Sequence, residues 1–307
     1  MKILITGASG FMGSQLMKRL HERGNDVSGV TSTICDLTEQ NAVYTKLSTE
    51  GDYDIIYHLA AWTRAGDFCL THQGEQWLIN QKINTNILSW WKEFQPQAKM
   101  ICMGTSCSYD PTMALKETNY MKGVPIESLF SYAMTKRMLY AGLISLNKQY
   151  GLKYMYFVPS TLYGPTYHKD GRQMHFIFDL ARKIVRGKMY DEKVVLWGNG
   201  HQKREIIHID DFITAMTALS SRENDIINIG AGEEHSIRQF AQIICDKVGY
   251  DFDKIQFDKT KYVGAKSKCL NVSKMRNLLP GMITVPLEKG IGKMVDWVSV
   301  QEVNEVK

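Results

Sequence analysis

No apolar run in the 307 residues approaches the roughly twenty that a helix needs to cross a bilayer, so a soluble protein is expected. The six cysteines, at 35, 69, 102, 107, 245 and 269, contain no C-x-x-C pair, and no metal-ligand set is expected from them. Because the chain opens on the strand-like Met1-Lys2-Ile3-Leu4-Ile5 rather than on a cleavable leader, a reduced cytoplasm is the expected compartment. No basic block is dense enough to make nucleic acid the main partner. The net charge of +5 instead suits small anionic ligands such as phosphorylated substrates. Internal repeats, low-complexity tracts and long linkers are also lacking.

The remaining composition, 44% hydrophobic and 22% charged, is that of a globular chain long enough for one large domain or two unequal ones. Residues 2–6 read as a short buried strand and 12–23 as a helix, and between them stand Gly7, Gly10 and Gly13. Glycines at this spacing, where a strand meets a helix, let the backbone approach a pyrophosphate held at the helix N-terminus. The predicted second strand ends at Val30-Thr31-Ser32, where an NAD enzyme often presents an acid to the ribose, and none is there. That absence favours NADP(H), with NAD(H) as the alternative. Asp36, followed by Leu37, is expected to end a third strand near the adenine, or else to cap a helix beginning near Thr38.

Further apolar runs at 54–59, 99–103 and 153–158 alternate with helical segments, the pattern of a parallel sheet covered on both faces. After Pro159 the texture changes to turns, a basic helix over about 174–187, and short strands flanking Gly198-Asn199-Gly200 and Gly230-Ala231-Gly232. The expected division is a dinucleotide-binding domain over 1–160, rejoined by segments around 206–230, and a smaller lobe over 161–300 that closes a cleft. The polar tail after Trp297 is expected to fray.

Tyr132 and Lys136 lie four residues apart and so share one face of a helix. A free phenol has a pKa near ~10, and an acid working at neutrality needs roughly three units less, about 4 kcal/mol of differential stabilisation. An adjacent ammonium and a cationic nicotinamide ring each favour the phenolate. The same spacing also arises by chance on amphipathic helices, so the pair gains meaning only from its context.

With the glycine turn, His58-Leu59-Ala60-Ala61, Thr105-Ser106-Cys107-Ser108-Tyr109 and Tyr132-x-x-x-Lys136 in order, the chain resembles the extended short-chain dehydrogenase/reductase family of nucleotide-sugar enzymes over nearly its whole length. The resemblance implies a Rossmann-type doubly wound parallel sheet with a smaller mixed α/β C-terminal substrate lobe. It implies cofactor contacts from Gly7, Gly10, Phe11, Met12, Gly13, Ser32, Asp36, Leu37, Leu59, Ala60, Ala61, Tyr132, Lys136 and Pro159. Segments 159–165, 194–211 and 266–274 are most similar to the branch that epimerises and reduces a GDP-4-keto-6-deoxy-hexose. By that likeness Arg204 clamps a substrate diphosphate, Lys268 contacts the nucleotide, and Thr161 and Trp197 line the substrate site. An arginine fork suits phosphate oxygens, whereas its ordinary fate is a surface pair, here with Glu205 or Asp210.

The likeness also assigns roles. Thr105 hydrogen-bonds the sugar oxygen at C4, Tyr132 protonates it as hydride arrives, and Lys136 stabilises the phenolate left behind. Cys107 and His175 fall where the branch keeps its C3/C5 epimerisation pair, although a cysteine at a strand end is often plain core and a lone histidine a structural donor. Thr161 replaces the branch's asparagine, and residues 62–77, carrying Trp62, Asp67, Glu75 and Trp77, depart from its loop, which leaves the sugar and the base open. Three other readings compete. A 4-epimerase holding NAD tightly needs the ribose acid that is missing. A 4,6-dehydratase needs carboxylates where Ser106-Cys107 stand. A non-catalytic dinucleotide sensor has no use for the Tyr-Lys pair. A homodimer is implied through the helices near 84–94 and 132–150, with Met138, Leu139 and Leu143 as an apolar stripe that could equally be core.

Overall fold

The computed structural model describes residues 1–48, 51–63, 68–167, 174–261 and 266–305. The apolar runs form strands β1 (Lys2–Thr6), β2 (Asp26–Val30), β3 (Ile55–His58), β4 (Lys99–Met103) and β5 (Tyr154–Pro159). β1 pairs in parallel with both β2 and β3, in the registers Ile3 to Val27 and Ile3 to Ile55. β4 pairs with β3, and β5 with β4. β1, β3, β4 and β5 are buried over most of their length because helices cover both faces, which is why their sequences run apolar instead of alternating.

Helix α1 (Phe11–Glu22) carries the chain from β1 to β2, and α2 (Gln40–Leu47) follows. The short α3 (Phe68–Thr71), α4 (Gln73–Phe94) and α5 (Phe130–Tyr150) then serve the crossovers from β3 to β5. The chain leaves β1 in one direction toward β2 and in the other from β3 toward β5. Right-handed crossovers therefore place α1 on one face and α4 with α5 on the other. The reversal makes a switch point between β1 and β3, where ligands of such sheets gather at the carboxyl ends of the strands.

Past β5 the strands are short: β6 (Thr161–Tyr163), β7 (Val195–Trp197), β8 (Lys203–Arg204) and β9 (Ile206–His208), with α6 (Phe176–Tyr190) between β6 and β7. After β9, α7 (Ile209–Leu219) and β10 (Asp225–Ile229) return to the large sheet, β10 pairing with β5 and completing the order β10-β5-β4-β3-β1-β2. Then come β11 (His235–Ser236), α8 (Ile237–Val248), β12 (Gln256–Asp258), α9 (Ser273–Leu278) and α10 (Leu287–Glu305). Small pairs join β6 to β9, β7 to β12 and β8 to β11. α8 starts where it does because Ser236 Oγ accepts from Gln239 N while Gln239 Oε1 accepts from Ser236 N, a capping box. α6, α8 and α10 pack around a second core containing Phe178, Ile184, Phe240, Ile244, Ile291, Met294 and Val298, separate from the core under the large sheet.

Two expectations fail. Residues 31–39 form turns, not a third strand: Asp36 Oδ1 accepts from Thr38 N at 2.9 Å and from Thr38 Oγ1 at 2.8 Å, a local bonding pattern that competes with a sheet ladder. Asp36 does not cap the next helix either, since α2 begins only at Gln40. Over its described residues the tail after Trp297 does not fray; it continues α10 to Glu305, with Val298 in the second core and Glu302, 2% exposed, held by Arg182 and Arg186 at 2.7 Å each. The apolar stripe of α5 divides: Leu139 and Leu143 are core, whereas Met138 is exposed.

Candidate active site

The glycine turn is built by backbone crowding. Gly7 sits at φ +70°, and a β-carbon there would stand 2.8 Å from Ala60 N, so this turn lies directly against the loop after β3. A β-carbon on Gly13 would stand 2.2 Å from the Gly7 carbonyl oxygen. Gly10 meets only that oxygen, at 3.2 Å, and as the N-cap of α1 it offers no side chain to the first amides of the helix. Those amides remain open to an anion, and the cradle fits a dinucleotide pyrophosphate. Phe11 and Met12 open the helix, and the Phe11 ring packs edge-on against Tyr167 and Phe178, tying the turn to the second lobe. Ser32 is exposed after β2, and Lys46 Nζ donates to the Ile34 carbonyl two residues on.

His58 explains the motif it begins. Asn84 Oδ1 can only accept, so Nε2–H donates to it at 3.1 Å, and Nδ1 accepts from the Thr6 hydroxyl at 2.8 Å. Thr6 Oγ1 accepts in turn from Ala60 N at 3.3 Å. The ring thus fixes β1, β3, α4 and the Leu59-Ala60-Ala61 loop together. Burial, with Lys136 nearby, pulls His58 down to about 4 against the bond to Asn84, so the ring is neutral.

At the end of β4, Thr105 begins a single turn, its Oγ1 accepting from Cys107 N at 3.2 Å. α5 is clamped to that turn: Ser108 Oγ donates to the Ala133 carbonyl, and Arg137 Nε to the Ser108 carbonyl. The clamp brings Tyr132 to Thr105 and sets Lys136, 6% exposed, beneath the sheet end. Burial lowers Lys136 to about 8. Tyr132 moves the other way: burial, then Cys107, Cys69 and Tyr120, push its phenol up, against a hydrogen bond with Thr105. Burial outweighs that hydrogen bond, and the phenol holds its proton at neutrality.

Beside this group a cavity of about 420 Å³ is lined by Cys107, Thr161, His175, Trp197, Arg204 and Lys268, bringing together six of the residues marked in the sequence. Lys268 Nζ donates to Cys107 Sγ at 2.9 Å. Burial alone would raise that thiol, but the Lys268 ammonium and its hydrogen bond, the Thr105 bond and Arg204 together pull it below its ordinary value. His175 is the exposed N-cap of α6, and Trp197 is 49% exposed at the end of β7. The two acids proposed as surface partners of Arg204 have other bonds. Asp210 pairs with Arg19 at 2.7 Å, and Glu205, 3% exposed, accepts from the amides of Gly232 and Leu270 at 2.7 Å each. Burial raises Glu205 to about 7 against those bonds.

Sequence reasoning missed Lys183 and Gln202, which also line the cavity, and Cys69, which borders Tyr132. The signal for Lys183 was its i,i+4 pairing with Asp179 in the basic helix, at 2.8 Å. In the unusual stretch Trp62 packs on Phe68, whose ring stacks on His72 at 4.5 Å, and Asn80 bonds the Trp62 backbone at both N and O. Those aromatics pack against one another. Glu75 and Trp77 are exposed on α4, and Asp67 lies outside the described residues.

A tyrosine and a lysine one helical turn apart, held against the carboxyl end of a parallel sheet whose switch point carries a glycine cradle, form the arrangement of a dinucleotide-dependent dehydrogenase or epimerase. Comparison with known proteins specifies the lineage. The chain belongs to the NAD dependent epimerase/dehydratase family, which matches residues 3–230. GDP-L-fucose synthase of Dictyostelium discoideum is 28% identical over 306 residues, covering 96% of this chain and 94% of that protein. The structure of a GDP-L-fucose synthetase from Naegleria fowleri bound to NADP matches with a TM-score of 0.83 at 24% identity, over 99% of this chain and 94% of that one. A GDP-6-OMe-4-keto-L-xylo-heptose reductase from Campylobacter jejuni matches with a TM-score of 0.85 at 22% identity, over 98% of each chain. These likenesses establish the fold.

Proposed function

We propose that this protein is an NADPH-dependent reductase of GDP-linked 4-keto-6-deoxy-hexoses that also epimerises carbons beside the ketone. One observation carries the reading: a thiol, a histidine and three cations share a cavity that adjoins the Tyr132, Lys136 and Thr105 group. Arg204 suits the diphosphate of such a substrate and Lys268 its nucleotide, and Thr161 and Trp197 line the rest of the site. Gly7, Gly10 and Gly13 with the first turn of α1 hold the pyrophosphate of the dinucleotide. Ser32, Asp36 and Leu37 border its adenosine, and Leu59, Ala60, Ala61 and Pro159 its inner half. With no acid at the end of β2 and Lys46 close by, a 2′-phosphate meets no repulsion.

Bound NADPH supplies the hydride for C4. Tyr132, protonated at neutrality, delivers its proton to the oxygen there, Thr105 donates a hydrogen bond to the same oxygen, and Lys136 stabilises the phenolate. The 4-keto group acidifies C3 and C5, where Cys107 and His175 exchange protons across the ring. The division into 1–160 with a return over 206–230, and a substrate lobe over 161–300, follows from the same reading. So does work in the cytoplasm, where thiols stay reduced. A second copy of the chain covers the groove of about 620 Å³ between α4 and α5, where Met138 and Tyr150 are exposed.

The test is NADPH oxidation with GDP-4-keto-6-deoxymannose. Turnover is expected, and Tyr132→Phe should lose about 10²–10⁴-fold in kcat while keeping NADPH affinity. No NADPH consumption with this or any other 4-keto nucleotide sugar rejects the reading. NAD-dependent exchange of C4 epimers without net oxidation would assign a 4-epimerase instead.

A further inference from the structure

We infer that Lys268 is a positioning residue for Cys107, its ammonium held against the sulfur so that the thiol is drawn toward the thiolate for taking a proton from the carbon beside the ketone. This rests on the reading of Cys107 as an acid-base residue and reassigns Lys268 from a nucleotide contact to a positioning residue. In the step, the C–H bond breaks, the proton passes to sulfur, and the electron pair of that bond delocalises onto the C4 oxygen as an enolate.

The contact is built, because both flanks of Lys268 are anchored. Lys203 N donates to the Lys266 carbonyl at 2.8 Å, Lys268 N to Glu234 Oε2 at 3.0 Å, and Leu270 N to Glu205 Oε2 at 2.7 Å. The Ser267 hydroxyl bonds Glu234 as well. From this braced segment the ammonium reaches Cys107 Sγ at 2.9 Å, a charge-assisted hydrogen bond. The other groups acting on the sulfur are Arg204, the Thr105 hydroxyl, and Tyr132 and Cys69, both pushed above their ordinary values by burial first. Among the described residues lining the cavity, the one carboxylate is Asp179, and it is paired with Lys183. His175 lines the same cavity and is placed to supply the proton that returns to carbon.

The rest of the chain isolates the effect. The Cys35 and Cys69 thiols are raised by burial, and Cys102, Cys245 and Cys269 are pushed up to about 12 by burial first. Cys107 is the one thiol of the six moved toward the thiolate.

Iodoacetamide alkylation followed by peptide mass spectrometry across pH 5–10 reads the thiolate directly. Cys107 should react first, with a midpoint below that of a free cysteine. Lys268→Met should slow its alkylation at pH 7 by about tenfold and move the midpoint up. Lys268→Arg should restore much of the rate, which a merely structural role would not require. An unchanged midpoint in Lys268→Met, with wild-type thermal unfolding, overturns the inference. Deuterium exchange at C3 and C5 of the 4-keto substrate separates this failure from that of the parent reading. If the midpoint depends on Lys268 but the wild type exchanges no deuterium, the epimerase reading fails and Cys107 is not a base. If exchange is present and the midpoint ignores Lys268, the reading stands and the ion pair falls.

Discussion

His58 shows how much a single buried side chain can hold. It is 1% exposed and neutral, bonded to Thr6 and Asn84, and pulled down to about 4 from an ordinary value near 6.5. A depressed folded value means the neutral ring stabilises the fold fully above about pH 6.5, and that stability is lost as pH falls toward 4. The difference corresponds to about 3 kcal/mol. Urea unfolding at pH 7 and pH 4 should show this loss in the wild type and a shallower dependence in His58→Asn; equal slopes would remove the histidine from the account. Tyr132, Lys136, Thr105, Cys107 and Arg204, which the structure gathers in one region, could be marked from short motifs, and His175 only from family likeness. The partner of Cys107 was not legible: Lys268 is 161 residues away, and only the folded chain brings ammonium to sulfur.

Among the elements, the turn from β1 to α1 was read from its glycines, and the structure separates what each glycine does. Gly13 packs helix against turn, since its β-carbon would collide with backbone at Gly7 and Ala8. Gly13→Ala should therefore destabilise the fold by about 1–3 kcal/mol. Gly10 is the N-cap and meets only the Gly7 oxygen, so Gly10→Ala should cost less, about 0.5–1 kcal/mol. Calorimetric titration should nonetheless show NADPH affinity falling about tenfold or more in Gly10→Ala. If Gly10→Ala binds NADPH like the wild type, the pyrophosphate does not sit there. The misread element was the strand expected at Asp36. Its carboxylate satisfies the Thr38 amide within three residues, and composition alone does not say whether an Asp-Leu-Thr run prefers that turn to a ladder.

In the whole molecule, two hydrophobic cores are joined by a chain that leaves the large sheet after β5 and returns to it at α7 and β10. Tyr132 and Lys136 stand on α5, whose Leu139 and Leu143 belong to the first core, and His175 and Trp197 come from elements of the second. The cavity therefore exists only where the two meet. The C-terminal helix locks the second core through Glu302, whose partners Arg182 and Arg186 are 120 and 116 residues away, a separation that hid the anchor in the sequence. Because both arginines are partly solvated, Glu302→Ala should cost about 2 kcal/mol, less than breaking a fully buried pair. A loss below about 0.5 kcal/mol in urea would place it among ordinary surface pairs.

The central claim is that the cavity and the Tyr132 group beside it together exchange protons next to a ketone and reduce it. Incubating the protein with GDP-4-keto-6-deoxymannose and NADPH in deuterated water, and reading the product by NMR, tests both halves at once. The account predicts stoichiometric NADPH oxidation, a reduced C4, and solvent deuterium at C3 or C5, lost in Cys107→Ser. A reduced product carrying no solvent deuterium, or no reduction at all, contradicts it.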